Sequence, residues 1–194
     1  TILIEPEQQR YLSSDAFFWN VTFHEVAHGL GVKETVNGLG SVDAALGNES
    51  SVWEEAKADI LGLYMVCNLI DKGEIPLISK EAAITTYIAS LVRSVRFGAA
   101  GAHGRANMMC YNFLKDNGAF ERNKDGLYHI NYDKVPEVVA AWAELIITTQ
   151  ATGNYMFAKE YDTNHAVVPE ALSADIANVN RGGVPVDIRF EFVW

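Results

Sequence analysis

The sequence is short of several things, and each shortage removes a class of answer. It holds two cysteines in 194 residues, Cys67 and Cys110, too few for a disulfide framework. Both fall among apolar residues in helical patterns, which reads as buried free thiols. Five prolines and no long Gly/Pro/Ser-rich stretch mark no linker, so residues 1–194 read as a single domain. No run nears the ~20 apolar residues that a membrane helix needs. No charged-then-apolar leader is visible, which gives the expectation of a cytoplasmic protein with no membrane partner. Bases are scarce as well: 15 Lys and Arg face 25 Asp and Glu, a formal charge of −10. With no basic stripe, nucleic acid is not an expected partner. An initiator methionine is missing too; the chain starts at Thr1, and the expectation is a piece of something longer.

What is present describes a folded, mostly helical protein. The composition is 49% hydrophobic and 21% charged, ordinary for a chain that buries a core. Residues 1–12 read as an incoming strand or extended arm broken at Pro6. A first helix is expected from Asp15, as N-cap, to a stop at Gly29–Gly31, and Phe23, Val26, Ala27 and Leu30 suggest that it is largely buried. The connection from Lys33 to Ser50 looks too polar to be core. A second helix opens on Ser51 and Glu54, spaced as a capping box. It carries Trp53, Ala56, Ile60, Leu63, Cys67 and Ile70 on one buried face and ends at Lys72-Gly73. Further helices are expected near 80–97, 102–116, 134–150, 153–162 and 169–179. Asn123-Lys124-Asp125-Gly126 between short alternating runs signals a hairpin. The run from Val184 to Trp194 reads as a last strand. The fold class is therefore mainly α, with a few short β strands.

One motif carries chemistry: His24-Glu25-Val26-Ala27-His28. On a helix, positions i and i+4 share a face, so His24 and His28 can grip one cation. Glu25 lies beside them, placed to take a proton from water that a zinc ion acidifies. A catalytic zinc usually takes a third protein ligand, and Glu54-Glu55-Ala56-Lys57-Ala58-Asp59 offers one. Glu54 has a local duty in the capping box and remains a cap or an outer partner of the site. Glu55 has none and is the expected ligand. Asp59, one turn on, can accept the outer N–H of a ligating histidine. His103, Asn107 and Tyr111 form a polar stripe on the 102–116 helix, which either lines a cleft or faces solvent. His129 and His165 receive no role.

H-E-x-x-H followed some thirty residues later by E-E-A-K-A-D-I-L-G-L-Y resembles the dipeptidyl peptidase III family of zinc exopeptidases. The family's usual motif has one more residue between the histidines and continues with E-E-C-[KR]-A-[DE]; this chain has the shorter form, and Ala56 in place of the cysteine. The resemblance implies one Zn2+ per chain held by His24, His28 and Glu55, and it agrees with the choice of Glu55 made from the residues alone. Ala102-His103-Gly104-Arg105-Ala106-Asn107 is similar to the family's A-H-x-x-A-R-like segment with the Ala-Arg order changed, which implies a catalytic role for His103 in steadying the transition state. Family members are longer and have two lobes with the active-site cleft between them. By that resemblance this chain is the helical, zincin-like catalytic lobe, a C-terminal portion missing its N-terminal lobe, with a peptide as substrate and a dipeptide as product. Arg181 and Arg189 are candidates to meet a substrate carboxylate. Two other readings stand beside it: a metallohydrolase acting on a different amide or small molecule, and a non-catalytic metal-binding lobe.

Overall fold

The computed structural model describes residues 3–96 and 98–183. The strand expected from Val184 onward, with Arg189, lies outside the described residues. Eight α-helices and one hairpin follow in chain order among those described: α1 (Ser14–His28), α2 (Val42–Leu46), α3 (Ser50–Asp71), α4 (Lys80–Val95), α5 (Ala102–Asp116), β1 (Phe120–Arg122), β2 (Tyr128–Ile130), α6 (Val135–Thr152), α7 (Tyr155–His165) and α8 (Glu170–Arg181). The mainly helical expectation holds.

Helix starts are set by short oxygen-bearing side chains that take an orphan backbone N–H. Ser13 accepts from the Ala16 N–H, Ser41 from Ala44, Ser79 from Ala82 and Asn154 from Phe157. The first of these corrects the sequence reading. Asp15 lies inside the first turn of α1, where its charge meets the positive helix end, and the cap is Ser13. The capping box at Ser51 and Glu54 is not formed either. Helix α3 begins two residues earlier than a cap at Ser51 implies, after Glu49 and with no side-chain cap, because α2 and a single 3-10 turn lead directly into it. The connection judged too polar for core in fact buries Val42 and Leu46.

Helix α3 is the axis of the molecule. It packs against α1, α4, α5 and α6. Trp53, Ala56, Ile60, Leu63 and Val66 are buried along it, with Cys67 and Ile70 half-buried beyond. At its first turns Trp53 meets Trp142, Phe157 and Tyr161, and Phe113 stacks on Trp142 with ring centroids 4.8 Å apart. Burying large side chains of this kind contributes roughly 1.5–3 kcal/mol each, and Trp53 and Trp142, both fully buried, belong to the core that joins the helices. Gly62 permits a close approach of α3 to α1. A Cβ there would stand 2.9 Å from the His24 backbone nitrogen, so α3 and α1 touch backbone to backbone beside the histidines.

Helix α1 is less buried than its sequence suggested. Ala16 and Ala27 are its buried residues, while Phe17, Phe18, Val21 and Val26 are exposed, with Leu30 just beyond its end. The apolar residues are spread around the helix, so one side packs on α3 and another faces outward.

The hairpin forms as expected, Phe120 pairing with Ile130 and Arg122 with Tyr128. The incoming arm joins it: Ile4 bridges to Tyr128, and Gln8 bonds both backbone groups of Ile130. Of the cysteines, Cys110 is fully buried and Cys67 half-buried; both are free thiols. Burial pushes the Cys67 thiol up to about 11. Among the described residues, no helix is long and apolar enough to cross a membrane.

Candidate metal centre

Two helices build the site. Helix α1 presents His24 and His28 one turn apart, and α3 presents Glu54, Glu55 and Asp59 across from them. The carboxylates divide the work. Asp59 Oδ1 lies 2.7 Å from His24 Nδ1, and Glu54 Oε1 lies 3.1 Å from His28 Nδ1. A carboxylate only accepts, so each Nδ1 carries a proton and each Nε2 is turned the other way. The two Nε2 atoms stand 3.2 Å apart.

Glu55 faces these nitrogens. Its Oε2 is 3.4 Å from His24 Nε2, 3.9 Å from His28 Nε2 and 2.9 Å from His103 Nε2. That oxygen is buried and has no hydrogen-bond partner of acceptable geometry. A buried carboxylate oxygen without a donor is costly, and here it sits among three imidazole nitrogens. Two imidazoles and a carboxylate make a donor set suited to a divalent ion such as zinc. The residues present therefore fit a metal.

The electrostatics agree. Burial alone would lower the His24 pKa, but the hydrogen bond to Asp59, the close contact of Glu55 and the charges of both acids outweigh it and push the imidazole up to about 10. The Glu55 carboxyl is held below its ordinary value; burial opposes this, and the His24 contact with the charges of His103, His24 and His28 prevails. Glu54 is lowered too, against burial, by its bonds to Lys57 and His28. Surroundings that favour a second proton on His24 are surroundings that draw a cation.

His103 enters from the first turn of α5. Its side chain is 68% exposed, and its Nε2 joins Glu55 and His24 in a group whose donor atoms lie within 4.8 Å of one another. No acid holds its other ring nitrogen among the described residues. The polar stripe expected with it breaks up. Asn107 is buried and bonds Ser94 and the His103 carbonyl, while Tyr111 is buried against Tyr128. Asn107 still lines the cleft that His24, Asp59 and His103 border, and Tyr111 does not.

Glu25 is exposed on α1 and borders a cleft of ≈ 300 Å³ between α1, α4 and α5. His24, Asp59 and His103 line the same cleft, with Phe17, Val21 and Leu91 as its apolar wall. Its carboxylate is thus beside the metal centre and open to a ligand. His129 pairs with Glu5 and His165 stacks on Tyr161, both away from this cleft. Arg181 donates to Asn178 at the end of α8.

Two residues that shape the site were missed in the sequence. Gly62 is an isolated glycine in a long helix, a pattern that points to close packing. Lys57 falls in register with Trp53 and Ile60, a charge within the apolar stripe, and it bonds Glu54.

No family model matches the chain. Among solved structures, dipeptidyl peptidase III from Caldithrix abyssi matches with a TM-score of 0.90 and 33% identity over 96% of this chain. The chain carries the dipeptidyl peptidase III fold. Dipeptidyl-peptidase III from Corallococcus sp. strain EGB matches equally, with a TM-score of 0.91, 33% identity and 97% of this chain covered. The chain spans 36% and 35% of these two structures, about a third of each. A curated relative, Nudix hydrolase 3 of Arabidopsis thaliana, is 31% identical over 98% of this chain, which covers 25% of that protein.

Proposed function

We propose that the chain is the metal-bearing portion of a zinc-dependent peptidase that releases dipeptides from peptide N-termini. The observation that supports it most is the Glu55 carboxylate, whose buried oxygen lacks a donor and faces two imidazoles, each with its Nδ1 held by an acid. Acids behind histidines are the usual support of metal ligands, fixing tautomer and ring orientation. His24, His28 and Glu55 would hold the zinc, with Asp59 and Glu54 orienting the two rings. His103 is set apart from the ligands by its exposure and by the lack, among the described residues, of an acid behind it.

A zinc ion held there would acidify water to near neutral pH and polarise a peptide carbonyl. Glu25, exposed on the cleft, takes the proton of the attacking water on its carboxylate and passes it to the leaving amine. His103 offers its imidazole N–H to the oxyanion that develops at the carbonyl. The cleft beside them receives the peptide.

The chain spans about a third of the solved relatives, so the remaining wall of the substrate cleft would come from the rest of a longer protein in which this is the C-terminal portion. The chain alone is expected to show little or no turnover. The test uses the longer parent protein and dipeptidyl-naphthylamide substrates. Turnover that vanishes in Glu25→Ala while zinc stays bound supports the reading. No turnover by a zinc-loaded parent contradicts it and favours a metallohydrolase of other specificity, the direction in which the name of the Arabidopsis relative points.

A further inference from the structure

Lys57 stands on α3 two residues beyond Glu55 and is 0% exposed. Its Nζ donates to the Leu30 carbonyl at 2.7 Å and to Glu54 Oε1 at 2.8 Å. The same Glu54 oxygen faces His28 Nδ1 at 3.1 Å. Leu30 lies two residues beyond the end of α1, and the chain then turns at Gly31, with φ +83°. A Cβ at Gly31 would stand 3.0 Å from Lys57 Cδ, so the lysine stem runs through a slot that a glycine keeps open.

A buried ammonium is a poor choice for packing alone. An apolar side chain of similar volume would fill the slot at a lower desolvation cost. What the ammonium adds is a fixed anion. Glu54 is a third exposed and, left to itself, is free to turn toward water. The Leu30 carbonyl pins Lys57, Lys57 pins Glu54, and Glu54 then holds the His28 ring in one tautomer and one orientation.

We infer that Lys57 is a positioning residue for the metal centre, acting on His28 through Glu54. This rests on the reading of His28 as a zinc ligand. The test is the zinc affinity of the 194-residue chain, by competition with a chromogenic chelator, for wild type, Lys57→Met, Glu54→Gln and the double variant. Each single change weakens zinc binding by about 10- to 100-fold, the usual loss when the partner of a ligating histidine is removed. Because both act along one line, Lys57→Met costs no more than about twofold once Glu54→Gln is in place.

An equal further loss in the double variant, or a Lys57→Met affinity within about twofold of wild type, would overturn the inference. If Lys57→Met does not fold, Lys57→Gln, which keeps a neutral donor in the slot, is put through the same comparison with the same criteria. A wild-type chain that takes up no zinc overturns the metal reading itself. Zinc uptake with an unchanged lysine variant overturns only the role of Lys57.

Discussion

Two carboxylates in this chain, one wholly buried and one with a buried oxygen, have opposite surroundings. Asp175, on α8, is fully buried and fully supplied. Arg122 grips it with two donors at 2.8 Å each, and the Tyr128 hydroxyl donates at 2.6 Å. Tyr128 in turn meets the Tyr111 hydroxyl, so α8, the hairpin and α5 share one network. Glu55, on α3, has an oxygen that is buried and unsupplied, facing imidazole nitrogens whose outer protons already go to Asp59 and Glu54. The first carboxylate is a brace, complete within the chain. The second has no such donor to its buried oxygen among the described residues, and its imidazole neighbours make a donor set suited to a divalent cation. Burial of an acid does not separate structure from function; the donors around it do.

The comparison breaks most visibly at the brace. Asp175→Ala should cost about 3 kcal/mol of folding stability, the low end for removing one partner of a buried pair, since Arg122 can still reach solvent. Urea unfolding measures it, and zinc affinity should not move. A weakened zinc site with intact stability would reverse the two roles. Gly62→Ala comes next, at about 1–3 kcal/mol, because its Cβ would press on the His24 backbone. This variant should loosen zinc as well as the fold, since the collision lies at a ligand. Tyr128→Phe is the smallest, about 1 kcal/mol for lost hydroxyl bonds in a network that keeps its ion pair, with zinc binding again unaffected.

The sequence carried the cluster of histidines and carboxylates in this comparison and not the brace. His24, His28, Glu55 and Asp59 were legible because a helix converts fixed spacing into a shared face, and each pair lies within one turn. The packing of α1 on α3 brings together these two motifs, which lie some thirty residues apart in sequence. Arg122 and Asp175 lie 53 residues apart on different elements, with no local pattern to join them. Glu54 shows a local rule overruled by packing. Its spacing from Ser51 spelled a cap, but α2 feeds α3 from two residues earlier, and Glu54 turns instead to His28 and Lys57. Helix α1 went wrong for a related reason: its apolar residues suggested full burial, while the fold leaves Phe17, Phe18 and Val21 outward. Residues near the cleft mouth cannot be told from core residues by type alone.

The central claim is that Glu55 completes a zinc site with His24 and His28. Metal content after dialysis tests it most directly, on the wild-type chain and on the Glu55→Ala and His28→Ala variants. The account predicts one zinc per wild-type chain and a clear loss in each variant. Full stoichiometric zinc in both variants would contradict it.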